Sequence, residues 1–255
     1  MIIANWKSNG ELMMIQDWTS DFINSCSPKD FYVGIAPPVI YISDFSSLEW
    51  DLDILEEKSN NKIWDIKIGA QDVDHSSGSR TGAVAIKMFE DFGIDFAIIG
   101  HSERREYFNE DNDLIRQKIS ALNGSNVKTK ILCIGETKEE NEKGITKDVL
   151  KNQLEVVDAM DLENFIIAYE PVWAIGSGLT PDAKDINEIH KYIKDVVQST
   201  SANNLVPKVM YGGSVTDKNA ESFFTEQFVD GALVGGASLN GKTFANIVNI
   251  YSSAE

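Results

Sequence analysis

Residues 165–197 read FIIAYEPVWAIGSGLTPDAKDINEIHKYIKDVV, and this stretch holds one complete strand–loop–helix unit. The run 165–169, FIIAY, is apolar without alternation. A strand buried on both faces looks like this, as in a parallel sheet covered by helices. Pro171 disfavours helical geometry at the residue before it, so Glu170 continues the strand to its end. From Pro171 to Gly178 the chain passes from a rigid apolar start to a Gly-Ser-Gly end. Over 181–197, Ile186, Ile189, Ile193 and Val196 recur on one stripe. Thr180 and Pro181 suit an N-cap and a first helical residue.

The same unit recurs along the chain. Apolar runs lie at 1–4, 32–36, 66–70, 96–100, 131–134, 207–211 and 231–235 as well. Helical patterns lie between them. Residues 11–25 place Ile15, Trp18 and Phe22 on one face, and 112–122 place Ile115, Ile119 and Leu122 likewise. Eight strand candidates, each followed by a helix candidate, predict an α/β fold of the (β/α)8 barrel type, with eight parallel strands and outer helices. Six units would point to an open doubly wound sheet instead. A chain of 255 residues suits one such domain. No linker or second domain is visible, so 1–255 is expected to form a single barrel domain. The stretch 46–65 is expected to be a helix with an acidic surface extension carrying Glu49, Asp51, Asp53, Glu56 and Glu57.

The formal net charge is −17, from 40 acids against 23 bases. Such a chain is a poor general binder of nucleic acid or of an anionic membrane. It repels anionic ligands at long range, so an anionic substrate needs local positive potential. The start, MIIANWK, lacks the basic and long apolar character of a signal peptide, and no run reaches membrane-spanning length. Cys26 and Cys133 stand far apart, which makes neither a disulfide framework nor a metal-binding spacing. Free thiols in a reducing cytoplasm are expected, with Cys133 a packing residue.

In a parallel barrel the chemistry gathers at the C-terminal strand ends. After the first strand come Asn5 and Lys7. A lone lysine there is most often a solvated turn residue, but alternation from a buried strand end can aim both side chains at the barrel mouth. After the fourth comes GHSERR, 100–105. If a helix starts there, its dipole and N–H groups disfavour an imidazolium at His101, leaving a neutral ring that can donate a hydrogen bond. A capping histidine is the plainer alternative. Of the other two histidines, His75 reads as a loop residue and His190 as a helix-surface residue. After the sixth comes Glu170, a general-base candidate whose pKa burial would raise. The eight residues behind it have the composition of a hinged lid able to exclude water. After the last two strands come YGGS, 211–214, and GGAS, 235–238. Glycine pairs let backbone N–H groups approach an anion, and barrels commonly bind phosphate there.

Asn5-Trp6-Lys7, GHSERR, YEPVWAIG, YGGS and VGGASL occur in the order and spacing of the triose-phosphate isomerase family, and the chain resembles that family over almost its whole length. The resemblance implies interconversion of D-glyceraldehyde 3-phosphate and dihydroxyacetone phosphate through an enediolate, in glycolysis and gluconeogenesis, with no metal or organic cofactor. It implies Glu170 as the base that moves a proton between adjacent carbons. It implies neutral His101 as the group that polarises the carbonyl. Lys7 would offset enediolate charge, with Asn5 beside it and Glu103 contacting Lys7. Gly176, Ser214, Gly235 and Gly236 would hold the phosphate, and 171–181 would form the lid. A homodimer is implied, in which loop 71–84, with Gln71 and Ser79–Ala83, carries Thr81 towards the partner's Asn5 and Lys7. Four positions depart from the family pattern. Ala83 stands where an acid usually follows Thr-Gly to pair with Arg104 across the interface. Ala4 replaces a glycine, Ser8 a methionine, and the lid ends on Leu179.

Another phosphate-binding barrel could share the glycine turns, but not Lys7, His101 and Glu170 in these segments. A non-catalytic relative would have lost the base or the electrophile. The sequence neither supports nor excludes a structural or adhesive role beside catalysis.

Overall fold

The computed structural model describes residues 1–27, 30–46, 65–159, 164–175, 180–201 and 204–254. Eight strands close into one barrel in sequence order, and β1 pairs with both β2 and β8. They are β1 (Ile2–Asn5), β2 (Val33–Ala36), β3 (Ile66–Ala70), β4 (Phe96–Ile99), β5 (Thr129–Ile134), β6 (Phe165–Tyr169), β7 (Lys208–Tyr211) and β8 (Ala232–Val234). All pairings are parallel, which the non-alternating apolar runs anticipated. The helices that concern the site are α1 (Leu12–Ser25), α2 (Ile86–Asp91), α3 (Ser102–Tyr107), α4 (Asn112–Leu122), α5 (Lys138–Glu142), α6 (Thr146–Leu154) and α7 (Ala183–Thr200). Two more, α8 (Ala220–Phe224) and α9 (Gly241–Ala254), complete the outer layer. No helix among the described residues is long and apolar enough to cross a membrane.

Each strand is buried on both faces. Ile3, Phe96, Ile131, Cys133, Ile166, Met210 and Leu233 fill the barrel lumen. Their neighbours Ile2, Leu132, Ile167 and Val209 face outwards, in one cluster with Trp18, Phe22, Ile115 and Phe244 from the helices. The lumen is thus a packed floor, and a ligand can enter only above the strand ends.

Three expectations shift. Helix α7 begins at Ala183, capped by the Asp182 carboxylate, which accepts from the Lys184 N–H at 2.8 Å. Asp182 outcompetes Thr180 because its short carboxylate reaches the second N–H of the helix. The buried stripe is Ile186, His190, Ile193 and Val197, one residue round from the predicted one. His190 is therefore wholly buried and not on the surface. Its ring meets Tyr169 edge-on, and Nδ1 lies 3.3 Å from the Phe228 carbonyl. Burial, the largest cause, pushes its pKa down to about 3. Nearly all of the predicted acidic segment, 47–64, lies outside the described residues.

Candidate active site

The strand ends converge on a cavity of about 470 Å³ lined by Asn5, Lys7, His101, Glu103, Glu170, Ser214, Gly235 and Gly236. Every predicted site residue but Gly176 is therefore in one place, and Gly176 lies outside the described residues.

Glu170 follows the last residue of β6 and is buried to 1% exposure. Its N–H donates to the Ile134 carbonyl at 2.7 Å, so the strand ladder carries on through Glu170. One carboxylate oxygen accepts from the Ser102 N–H at 3.0 Å, and the other lies 3.0 Å from Nε2 of His101. Residues 102–107 do form a helix, α3, and His101 is its N-cap. The Glu103 N–H donates to Nδ1 of His101 at 3.2 Å. A nitrogen that accepts carries no proton, so in a neutral ring this contact places the hydrogen on Nε2, aimed at Glu170. The Glu103 carboxylate passes 3.6 Å from Nδ1 but is held by Lys7, whose Nζ lies 2.7 Å away.

Lys7 sits in the left-handed region, with φ +50°, a strained conformation for a residue with a side chain. Two hydrogen bonds to its backbone hold it. Its N–H donates to Oδ1 of Asn5 at 3.1 Å. The Gln71 amide donates to the Lys7 carbonyl at 2.8 Å and also to the Ala36 carbonyl at 2.8 Å. Asn5 is the last residue of β1, not a residue beyond it, so it and the strained turn together throw Lys7 over the cavity. On the far side, Gly235 and Gly236 lead into a short 3₁₀ turn, Gly236–Leu239, whose first N–H groups have no acceptor within the turn. A Cβ on Gly235 would stand 3.6 Å from Cε of Lys7, so ammonium and glycine amides border the same space. The Ser214 hydroxyl donates to the Ala174 carbonyl at 2.8 Å, tying the β7 turn to the start of the loop after β6.

The chain matches the family model described as triosephosphate isomerase over residues 1–251. The triosephosphate isomerase of Baumannia cicadellinicola is 38% identical over 270 aligned residues, covering 100% of this chain and 98% of that one. Those of Blochmanniella floridana and Escherichia coli O1:K1 are also 38% identical, covering 99% and 100% of this chain and 95% and 98% of theirs. The chain belongs to the triosephosphate isomerase family.

Two features of this triosephosphate isomerase family site escaped sequence reasoning. The first is the charge state of Glu170. Burial raises its pKa, as expected, but the facing His101, the Ser102 N–H and Lys7 outweigh burial, and the net direction is down. The expectation of a raised pKa at Glu170 is corrected, because a fully desolvated carboxylate finds three donors or positive groups there. For His101 the balance runs oppositely. Burial lowers its pKa, and the Glu170 carboxylate raises it by more. The second is Glu136, wholly buried beneath the start of the loop after β6. It accepts from Nε1 of Trp173 at 2.7 Å and from the Tyr169 hydroxyl at 3.1 Å. Burial raises the Glu136 pKa while these donors lower it. Trp173 is anchored to Glu136, and Ile175 lines the cavity. Residues 176–179, expected to belong to a lid, lie outside the described residues. No local signal marks Glu136, because its two closest donors come from β6 and the turn that follows it.

Proposed function

We propose that this cavity interconverts D-glyceraldehyde 3-phosphate and dihydroxyacetone phosphate, the reaction named by its family, and serves glycolysis and gluconeogenesis. Glu170 takes a proton from the carbon beside the carbonyl and returns it to the neighbouring carbon. His101 donates its Nε2 hydrogen to the carbonyl oxygen as electrons move onto it, and so bears the developing enediolate. Proton and electron pair stay within the substrate and this pair of side chains, so the step is balanced without an oxidant. Lys7 supplies the positive charge that a −17 chain otherwise lacks, with Asn5 shaping its turn and Glu103 orienting it. Gly235, Gly236 and Ser214, with Gly176, cradle the phosphate through N–H groups. The lid 171–181 closes over it and excludes water.

One observation carries this reading. A buried carboxylate, an imidazole and a lysine meet across one cavity from a rim of glycine amides. Purified protein should interconvert the two triose phosphates without added metal or nicotinamide. Full activity in Glu170→Ala would remove Glu170 from the role of base.

We propose further a homodimer formed through loop 71–84, in a cytoplasmic protein. Thr81 is exposed near the loop tip. Val39 and Phe108, both more than 45% exposed at 49% and 62%, line a groove of about 540 Å³ beside it. Clustered apolar exposure of this kind fits a partner surface. Ala83 leaves no acid there for Arg104, but Arg104 has partners in its own chain. Nε lies 2.6 Å from Glu110 and Nη2 2.9 Å from Asp72. Sedimentation should show a dimer, and a fully active monomer would overturn the role of Thr81.

A further inference from the structure

Strand β5 loses its neighbour just below the site. In a parallel ladder, successive residues bond alternately to the two flanking strands. On β5 the Thr129 N–H goes to Asp95 on the β4 side at 3.1 Å, and the Lys130 N–H to Asn164 on the β6 side at 3.3 Å. The alternation continues upwards. The Ile134 and Glu136 carbonyls serve Glu170 and Val172 on the β6 side, at 2.7 and 3.1 Å. Cys133 and Gly135 therefore face the β4 side. But the last β4–β5 pair is Ile99 with Leu132, and beyond it the chain turns off at Gly100, with φ +68°, into His101 and α3. Buried peptide groups left without a strand need other partners.

Two side chains supply them. Arg105 donates from Nη2 to the Cys133 carbonyl at 3.4 Å and from Nε to the Gly100 carbonyl at 2.9 Å. Gln153, from α6, takes the Gly135 N–H at 2.8 Å and donates to the Gly135 carbonyl at 3.0 Å. Only a carboxamide offers a donor and an acceptor side by side as a peptide does. Gly135 in turn presses on the base. A Cβ there would come 1.7 Å from the Glu170 carbonyl oxygen, so the Gly135 main chain is the surface on which the Glu170 backbone rests.

We propose that Gln153 is a positioning residue for the isomerisation. Its amide replaces the missing β4 residue, holds Gly135, and through Gly135 sets the height of Glu170 against His101. Gln153 does not touch the substrate. The proposal rests on Glu170 being the base.

The test compares Gln153→Leu, which removes both hydrogen bonds at similar volume, with Gln153→Glu, which keeps the acceptor and loses the donor. The expected result is a fall in kcat of about tenfold to hundredfold for Gln153→Leu, as for a base misplaced by a fraction of an ångström, and a smaller fall for Gln153→Glu. KM and the inhibition constant of inorganic phosphate should not change, because the glycine cradle stands on β7 and β8. Parent-like kcat in Gln153→Leu would overturn the proposal. So would an equal weakening of phosphate binding, which marks a general loss of structure. If Gln153→Leu does not fold, Gln153→Glu decides on the same two readings. Glu170→Ala is assayed beside them. Activity retained there defeats the base assignment itself. Activity lost there with an unaffected Gln153→Leu defeats only the positioning role.

Discussion

Nε2 of His101 lies 3.0 Å from Oε1 of Glu170, while Oε2 of the same carboxylate takes the Ser102 N–H at 3.0 Å. The two side chains therefore satisfy each other. A substrate that accepts from His101 and gives a proton to Glu170 has to come between them. The pair is held ready by groups that the substrate replaces, which keeps both side chains oriented without burying an unpaired charge.

Shortening the base by one methylene withdraws its oxygens from the reacting carbon. Glu170→Asp is expected to lower kcat by about 10²–10⁴, the range of a positioned general base, with KM little changed. Steady-state assays in both directions check this. A kcat near that of the parent would show that the carboxylate is not the proton carrier.

The ring of His101 is pulled two ways. Burial lowers its pKa and Glu170 raises it by more. Replacing Glu170 by Gln removes the raising influence and leaves burial, so the His101 pKa should fall below the ordinary histidine value. In the parent protein it should lie above. Ring-nitrogen NMR across an acid-to-neutral titration reads both directly. A higher pKa in Glu170→Gln would mean that another group governs the ring.

Lys7 and Glu103 form a pair at 2.7 Å, yet their side chains retain 26% and 39% exposure. The two partners should then matter unequally. Lys7→Met removes the one lysine or arginine side chain among the described residues that line the cavity and is expected to lower kcat/KM by about 10²–10³. Glu103→Gln leaves the ammonium in place and breaks only a half-exposed ion pair, so it should cost less than about tenfold. Equal losses in the two variants would contradict this division of roles.

His190 makes stability depend on acid. Its pKa is about 3 in the folded chain against 6.5 for an ordinary histidine. Between those values the unfolded chain binds the proton and the folded one does not. Stability from this group is complete above about pH 6.5 and is lost as pH falls towards 3, at a limiting slope of about 1.4 kcal/mol per pH unit. His190→Gln should make urea-unfolding free energies fall less steeply over that window. An unchanged slope would show that His190 does not carry the proton.

The strand ends could be read from the chain because the signals are local. Pro171 speaks about Glu170, and the turn after Gly100 about His101, each from a position one or two residues away. The stripe of α7 was read one residue off, because Ile189 and Val196 are as apolar as the positions that are buried. Only the barrel wall, which presents Tyr169 and Phe228 to His190, chooses between the two stripes. Glu136 and Gln153 carried no signal at all. Each is an ordinary polar residue whose partners come from other elements of the fold.

By itself the sequence determined the eight units, their order, and which residues stand at the strand ends, since periodicity and chain-breaking residues act over a few positions. It determined the cast of the site too, His101, Glu170, Lys7 and the glycine turns. Tertiary structure alone decided that Glu170 is held ionised where burial by itself would have raised it. It alone decided that His190 is interior and that the base rests on a glycine gripped by Gln153. Those outcomes depend on distances between groups far apart along the chain. Electrostatic and hydrogen-bond energies change steeply with such distances, and no local pattern encodes them.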